Sequence, residues 1–332
     1  MKTLCSILVA ALYMAEILLG FPSEKTGAKP KTETITLSFL GDCTIGDDYK
    51  FTKNNFDWKY KQVNNPAYFL EKVQSVIGKD DYTFANLECA LTNETKKAEK
   101  TWRYKGYPEY VQVLLQGSVE GVNLANNHTF DYLQKGFDDT VKTVTDAKLE
   151  YTYMEHYFIK EIKGARIAYL GYNGFSEDTK LMKKQITEIK EKKLADFIIA
   201  NIHWGNNYDK VPIKTQRVLG KALVDFGADL VIGHHAHILQ GKEVYKGKTI
   251  MYSIGNFCYG GSISVKVPNT LIYQCVLKYD RNKKQILSVE EKLIPAFISG
   301  TKDVNNYQPV LAEGKDKEKI LQEFEELSKM IK

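Results

Sequence analysis

Histidine is scarce in this chain, with six residues in 332, and cysteine is scarcer, with five. No two cysteines have Cys-x-x-Cys spacing, which argues against a thiolate metal site. Cys5 lies in an apolar N-terminal stretch, and no cysteine closes that stretch where a lipid anchor would need one. The other four, Cys43, Cys89, Cys258 and Cys275, sit in or beside apolar strand-like segments. They read as buried free thiols, while four cysteines in an exported chain also allow three disulfide pairings. The net charge is only +5, and no basic stripe is interleaved with aromatics. This argues against a nucleic-acid partner and leaves a weak preference for anionic substrates or surfaces. There is no internal repeat and no low-complexity block. After residue 20 no run is long and apolar enough to cross a bilayer. Ordinary hydrophobic (43%) and charged (26%) fractions exclude a disordered or fibrous chain and leave a folded protein with a sizeable core.

What is present begins with KTLCSILVAALYMAEILLG, residues 2 to 20, a basic residue followed by a mostly apolar stretch. That is the pattern of a secretory signal, and Glu16 interrupts it in a way that weakens a permanent membrane span. The expected organisation is a signal peptide or N-terminal anchor over 1–21, a Lys-, Pro- and Gly-containing linker over 22–33, and one domain over 34–332. The expected location is outside the cytoplasm, either extracellular or held at the cell envelope through the N-terminus.

Apolar strand-like runs occur at 34–40, 82–88, 121–126, 165–173, 195–204, 228–235 and 248–257. Several are continuously apolar rather than alternating, as strands buried on both faces are. Helix-like stretches lie between them at 66–78, 109–117, 131–148, 179–193 and 214–227. The alternation predicts a layered α/β fold. Residues 270–280 and 284–298 read as a hairpin, and 315–331 as a charged amphipathic helix.

Polar residues recur where these runs end, and in open α/β sheets ligands bind at the carboxyl ends of strands. The first run ends in Gly41-Asp42, which by itself reads equally as a turn or cap. The second ends in Asn86-Leu87-Glu88, where a period of two places Asn86 and Glu88 on one face. The third gives Asn126-Asn127-His128, with Asp131 three residues later, within reach of the His128 ring if a helix starts near Thr129. The fifth ends in His203-Trp204-Gly205. The sixth ends in His234-His235-Ala236-His237, where an extended backbone would project His235 and His237 to one side and His234 to the other. Five of six histidines therefore fall at strand ends, beside carboxylates. Imidazoles and carboxylates without thiolates suit a borderline divalent ion such as Mn²⁺, Fe²⁺ or Zn²⁺. Asp42, Glu88, Asn127, His203, His235 and His237 exceed the needs of one tetrahedral ion, and two ions sharing a carboxylate would use the surplus.

The segments FLGDCTIG, ANLECALT, ANNHTFDY, IHWG, IGHHAH and YSIGNF, in this order over residues 38–257, resemble the bacterial CapA family of poly-gamma-glutamate capsule synthesis proteins, related to the calcineurin-like metallophosphoesterases. The resemblance implies a four-layer α/β/β/α sandwich with a site for one or two divalent ions. It implies that Asp42 and His237 serve the first ion, that Glu88 bridges, and that Asn127, His203 and His235 serve the second. His128, oriented by Asp131, would be the proton donor to the leaving group. Arg103 and Lys105 would hold an anionic substrate group, and Asn256 would line the site or cap its strand. The chain departs from the pattern in four places. Asp42-Cys43-Thr44 stands for Asp-x-His, leaving the first ion one imidazole short; Asn206-Asn207-Tyr208 replaces a Glu-Tyr; Ala236 replaces proline; and Leu133 stands where glycine often follows. The readings are an exported hydrolase of a phosphoester or gamma-glutamyl amide in capsule polymer assembly, a metal-containing polymer-binding component without turnover, or a structural exported protein that binds metal incidentally. The partners expected are an anionic polymer or phosphoester substrate and a membrane-bound capsule synthesis complex.

Overall fold

The computed structural model describes residues 32–175 and 179–331. The expected signal or anchor, and all of the expected linker but its last two residues, lie outside them. Continuous apolar runs become central strands, as their pattern requires. β1 (Thr32–Thr44) begins two residues before the expected start, with Thr32 opposite Asp280 and Glu33 opposite Tyr279. It is followed in parallel by β2 (Tyr82–Leu87), β3 (Gly121–Asn123) and β4 (Glu150–Thr152).

A second sheet holds β5 (Phe158–Ile162), β6 (Ala165–Asn173), β7 (Phe197–His203), β8 (Leu230–His234), β9 (Leu239–Tyr245) and β10 (Lys248–Ile254). Its order is β9-β10-β8-β7-β6-β5, with parallel pairing at its centre and antiparallel edges. The run expected as one strand over 248–257 breaks at Gly255, whose φ of +80° lets the chain cross between sheets. β11 (Asn256–Tyr259) then pairs with β1 of the first sheet. The hairpin β12 (Asn269–Asp280) and β13 (Gln285–Phe297), with β14 (Val310–Leu311), completes that sheet along the same edge of β1 as β11, opposite β2.

Three apolar layers show how the sheets stack. Leu37, Phe39, Phe84 and Tyr273 of the first sheet meet Ile167, Tyr169, Ile199 and Met251 of the second. The opposite face of the first sheet, with Leu40, Leu87 and Val122, packs on α1 (Phe56–Val63), α2 (Val111–Gln116) and α3 (Leu133–Asp146). The opposite face of the second, with Leu170, Ile198 and Val231, packs on α4 (Thr179–Glu191) and α5 (Lys214–Phe226). The result is a four-layer α/β/β/α sandwich. α6 (Gly314–Lys329) contributes Ile320, Phe324 and Leu327 to the middle layer.

The helix expected over 66–78 is instead two 3₁₀ turns and a four-residue helix, Pro66–Phe69, Glu71–Val73 and Gln74–Ile77. Phe69 and Leu70 are both fully buried in one core, and the backbone leaves helical geometry at Leu70, where φ is −123°. Cys43, Cys89, Cys258 and Cys275 are buried free thiols.

Candidate metal centre and its cleft

Asp42 reaches the site through a bulge. Leu40 pairs with Ala85 and Asp42 with Asn86, so Gly41 is an extra residue in β1. Leu40 and Cys43 consequently both face the helix-covered core, and Asp42 turns the other way. Glycine is required here because a Cβ at Gly41 would lie 2.0 Å from the Gly255 carbonyl oxygen. The Asp42 N–H donates to that same oxygen at 3.0 Å. Its Oδ1 accepts from Asn86 Nδ2 at 2.8 Å, and its Oδ2 accepts from the His235 N–H at 3.3 Å.

Glu88, just past β2, is fully buried and neither carboxylate oxygen has a hydrogen-bond partner. Its Oε1 lies 3.4 Å from His203 Nε2, 3.8 Å from His237 Nε2 and 3.9 Å from His128 Nε2. His203 Nε2 is also 2.6 Å from Asn127 Oδ1 and 3.0 Å from His235 Nδ1. Ligand atoms of Glu88, His235 and His237 all fall within 4.8 Å of one another. His237 Nδ1 faces Asn256 Oδ1 at 2.9 Å and Asp42 Oδ2 at 3.2 Å. The structure thus brings together Asp42, Glu88, Asn127, His203, His235, His237 and Asn256.

His235 and His237 converge by a different route from the extended backbone expected. β8 ends at His234, and His235 and His237 have φ of 93° and 58°. Left-handed backbone at a residue other than glycine costs roughly 1–3 kcal/mol and concentrates at functional sites. His234 does not point away: its Nδ1 lies 3.7 Å from Asp42 Oδ1, and neither of its buried ring nitrogens has a hydrogen-bond partner.

The titration of these groups follows from burial and crowding. Burial, then the charge of Asp42, pushes the Glu88 carboxyl up to about 8. Burial also opposes ionisation of Asp42, but the hydrogen bond and charge of His237 hold it well below the usual carboxylate range. Burial alone would lower His237, yet Glu88 and Asp42 raise it to about 9. Burial holds His203 and His235 down at about 3 and about 2, neutral and ready to donate lone pairs. Glu88, buried with both side-chain oxygens unpartnered and beside the neutral imidazoles of His203 and His235, completes a donor set that fits a divalent ion.

Beside this centre His128 Nδ1 is 2.5 Å from Asp131 Oδ2, as the three-residue spacing suggested. The intervening residues form turns, and the helix starts only at Leu133. Asp131 is held in turn by Lys100 Nζ at 2.6 Å and the Tyr104 N–H at 2.6 Å, and Lys100 also donates to the Asn127 carbonyl at 2.7 Å. A cleft of about 500 Å³ opens over His128, Asn127 and His237, walled by Lys100, Trp102, Tyr208, Tyr259 and Lys266. Arg103 and Lys105 are not among its walls. The Arg103 guanidinium donates to the Ala98 carbonyl and stacks on Tyr49, and Lys105 donates to the Glu94 carbonyl beside Tyr132. Lys100 and Lys266 lie in loops and belong to none of the polar groups that end the apolar runs, so only the fold brings them to the cleft. Asn86 could have been found from its shared face with Glu88.

The family model for the bacterial capsule synthesis protein PGA_cap matches residues 36–260, which contain every residue of the centre. The chain belongs to that family. The capsule biosynthesis protein CapA of Bacillus anthracis is 32% identical over 257 residues, which are 69% of this chain and 61% of that protein's length. The PGA biosynthesis protein CapA of Bacillus subtilis (strain 168) is 29% identical over 78% of this chain and 73% of its own. Among solved structures, a phosphatase of Mycoplasma pneumoniae is similar over 80% of this chain and 94% of its own, with 15% identity and a TM-score of 0.48.

Proposed function

We propose that this protein acts in the synthesis or export of a capsule polymer such as poly-gamma-glutamate, and that its centre is a divalent-metal hydrolase site for a phosphoester or a gamma-glutamyl amide. The observation that carries the reading is Glu88, a buried carboxylate with no hydrogen-bond partner, facing three imidazoles. Asp42 and His237, with Glu88, would hold one ion, and Asn127, His203 and His235, again with Glu88, a second. Mn²⁺, Fe²⁺ or Zn²⁺, when bound, would acidify water and polarise the scissile group.

The chain's own residues do the rest. Asp131 accepts from His128 Nδ1 and so leaves Nε2, on the side of Glu88, to deliver a proton to a leaving group. Lys100 fixes the Asp131 carboxylate in place, and the Tyr104 ring, 4.4 Å from the His128 ring, limits the rotation of His128. In this reading the protein works outside the cytoplasm, at the cell envelope beside a membrane-bound capsule synthesis complex; the basic-then-apolar residues 2–20 support export.

The test is elemental analysis paired with hydrolysis of an aryl phosphate and of a gamma-glutamyl anilide. Wild type should hold one or two divalent ions per chain. His128→Ala should keep them while losing about 10²–10⁴-fold in turnover. A wild-type protein that stays metal-free after incubation with Mn²⁺, Fe²⁺ and Zn²⁺ refutes the reading. Metal without turnover on either substrate would leave the polymer-binding alternative in its place.

A further inference from the structure

The first sheet carries a row of polar side chains where its apolar pattern ends. Asn256, Asp42, Asn86, Asn123 and Thr152 stand opposite one another on the neighbouring strands β11, β1, β2, β3 and β4, and all are buried. Buried amides must be satisfied, and their partners decide which way each one points. Backbone groups have one polarity only. The Ala125 N–H requires oxygen at Asn123 Oδ1, 3.2 Å away, and the Ala125 carbonyl requires nitrogen at Asn123 Nδ2, also at 3.2 Å. Thr152 Oγ1 donates to the same Oδ1 at 3.1 Å. Asn123 Nδ2 then donates to Asn86 Oδ1 at 2.9 Å, which leaves Asn86 Nδ2 to donate to Asp42 Oδ1 at 2.8 Å. From Thr152 onward, every side-chain bond in the row donates toward Asp42.

Asn86 Nδ2 also faces His203 Nδ1, at 3.2 Å. An amide nitrogen only donates, so His203 Nδ1 must accept, and the single proton of the neutral ring sits on Nε2. Asn127 Oδ1 at 2.6 Å and His235 Nδ1 at 3.0 Å are the acceptors there. That tautomer offers no lone pair to an ion held among Nε2, Asn127 and Glu88. Asn256 has the opposite polarity. Its Nδ2 donates to the His237 carbonyl at 3.3 Å, so oxygen is what it presents to His237 Nδ1 at 2.9 Å. A neutral His237 whose Nδ1–H is held by that oxygen has its lone pair on Nε2, 3.8 Å from Glu88 Oε1.

We propose that these two asparagines make the two ion positions unequal: Asn256 sets His237 ready, so the position beside Asp42 loads first, and Asn86 holds His203 back, so the second position fills only when Asn86 yields. The inference rests on the metal reading of the centre. For His203 to offer Nε2, its proton must pass to Nδ1, the ring staying neutral, and two donors would then face each other at the Asn86 contact. Asn86 relieves that conflict only by breaking its bonds to Asp42 or Asn123. It is a positioning residue, acting through Asp42 and His203. Hydrogen-bond partners of metal-holding side chains change affinity by about 10–100-fold, which sets the size of the expected gap.

The experiment follows the ring nitrogens of the full-length protein by nitrogen NMR of isotope-labelled histidine while Zn²⁺ is titrated in against a chelator, with His203→Gln and His237→Gln spectra for assignment. In the metal-free protein His203 should carry its proton on Nε2 and none on Nδ1. The first equivalent of Zn²⁺ should shift His237 Nε2 and leave His203 unmoved. The second should bind at least about ten-fold more weakly and move the His203 proton to Nδ1. Asn86→Ala, checked for folding by its unfolding midpoint in EDTA, should weaken the first step, strengthen the second and narrow the gap about ten-fold. Asn256→Ala should weaken the first step alone. His203 protonated at Nδ1 in metal-free wild type overturns the proposal with no variant needed, as does an unchanged gap in folded Asn86→Ala. If wild type takes only one ion, Asn86→Ala must admit a second, or the proposal falls. Two ions of equal affinity in wild type overturn the proposal and leave the metal reading standing, whereas a wild type that takes no ion fails both.

Discussion

Replacing Glu88 by glutamine should make the metal-free protein more stable and the metal-loaded protein relatively less so. The Glu88 carboxyl is pushed from an ordinary 4.5 to about 8, chiefly by burial. Such a rise corresponds to a cost of roughly 5 kcal/mol once the group is ionised, at about 1.4 kcal/mol per pH unit. The charge of His237 is already contained in that value, and a buried glutamine without a hydrogen-bond partner costs roughly 1–3 kcal/mol itself, leaving about 2–4 kcal/mol for the substitution to recover. Because the folded-state value is raised, the cost is absent below pH 4.5 and grows until the pH passes about 8. The advantage of Glu88→Gln in EDTA should therefore be small at pH 5 and largest near pH 8. With Mn²⁺ at about 100 times its dissociation constant, wild type gains about 2.7 kcal/mol and the variant gains little, so the advantage of the variant should shrink by about that amount. Urea unfolding of both proteins, with EDTA and with Mn²⁺ at pH 5, 7 and 8, reads all of this. A variant less stable than wild type in EDTA at pH 8, or one stabilised by Mn²⁺ as strongly as wild type, would show that Glu88 is not a metal-seeking carboxylate.

Other outcomes follow from the same geometry. Metal binding must expel the protons that Glu88 and His237 carry below about 8 and about 9, so calorimetry in buffers of differing ionisation heat should show proton release at pH 7 and affinity rising toward pH 9. Leu133 is exposed with φ of 59°, so Leu133→Gly should relieve about 1–2 kcal/mol of backbone strain and, after the extra entropy of glycine, stabilise by roughly 0.5–1 kcal/mol in chemical denaturation. Gly41→Ala should cost about 2 kcal/mol or more and reduce metal content in elemental analysis, because its Cβ overlaps the Gly255 carbonyl and must displace the strand that carries Asp42.

The strand ends that make the site could be read from the chain because buried strands announce themselves as apolar runs, and each run here stops at a residue that cannot be buried without a partner. That logic located Asp42, Glu88, Asn127, His203, His235 and His237 by position. It could not supply how they are aimed. The bulge at Gly41 answers a carbonyl 214 residues away in sequence, and the left-handed turns at His235 and His237 are imposed by the packing of two sheets. The same limit applies to the cations. Arg103 and Lys105 belong to the right segment, but local carbonyls and rings turn them aside, while Lys100 and Lys266 gain their place only when distant loops meet. Helices with a clear apolar stripe, such as α5, fell close to their expected bounds; residues 66–78 did not, because the backbone breaks at Leu70 into short 3₁₀ turns.

The two sheets divide the donor atoms by chemistry. Asp42, Glu88 and Asn127 lie within or just after strands of the first sheet and offer oxygen, whereas His203, His235 and His237 lie at or just after strand ends of the second and offer nitrogen. The oxygen donors of the centre lie in the first 127 residues of the chain and its nitrogen donors only after residue 200, so the donor set is complete only when both parts of the chain are in place. A divalent ion held by this full donor set would therefore report that both sheets have folded and met.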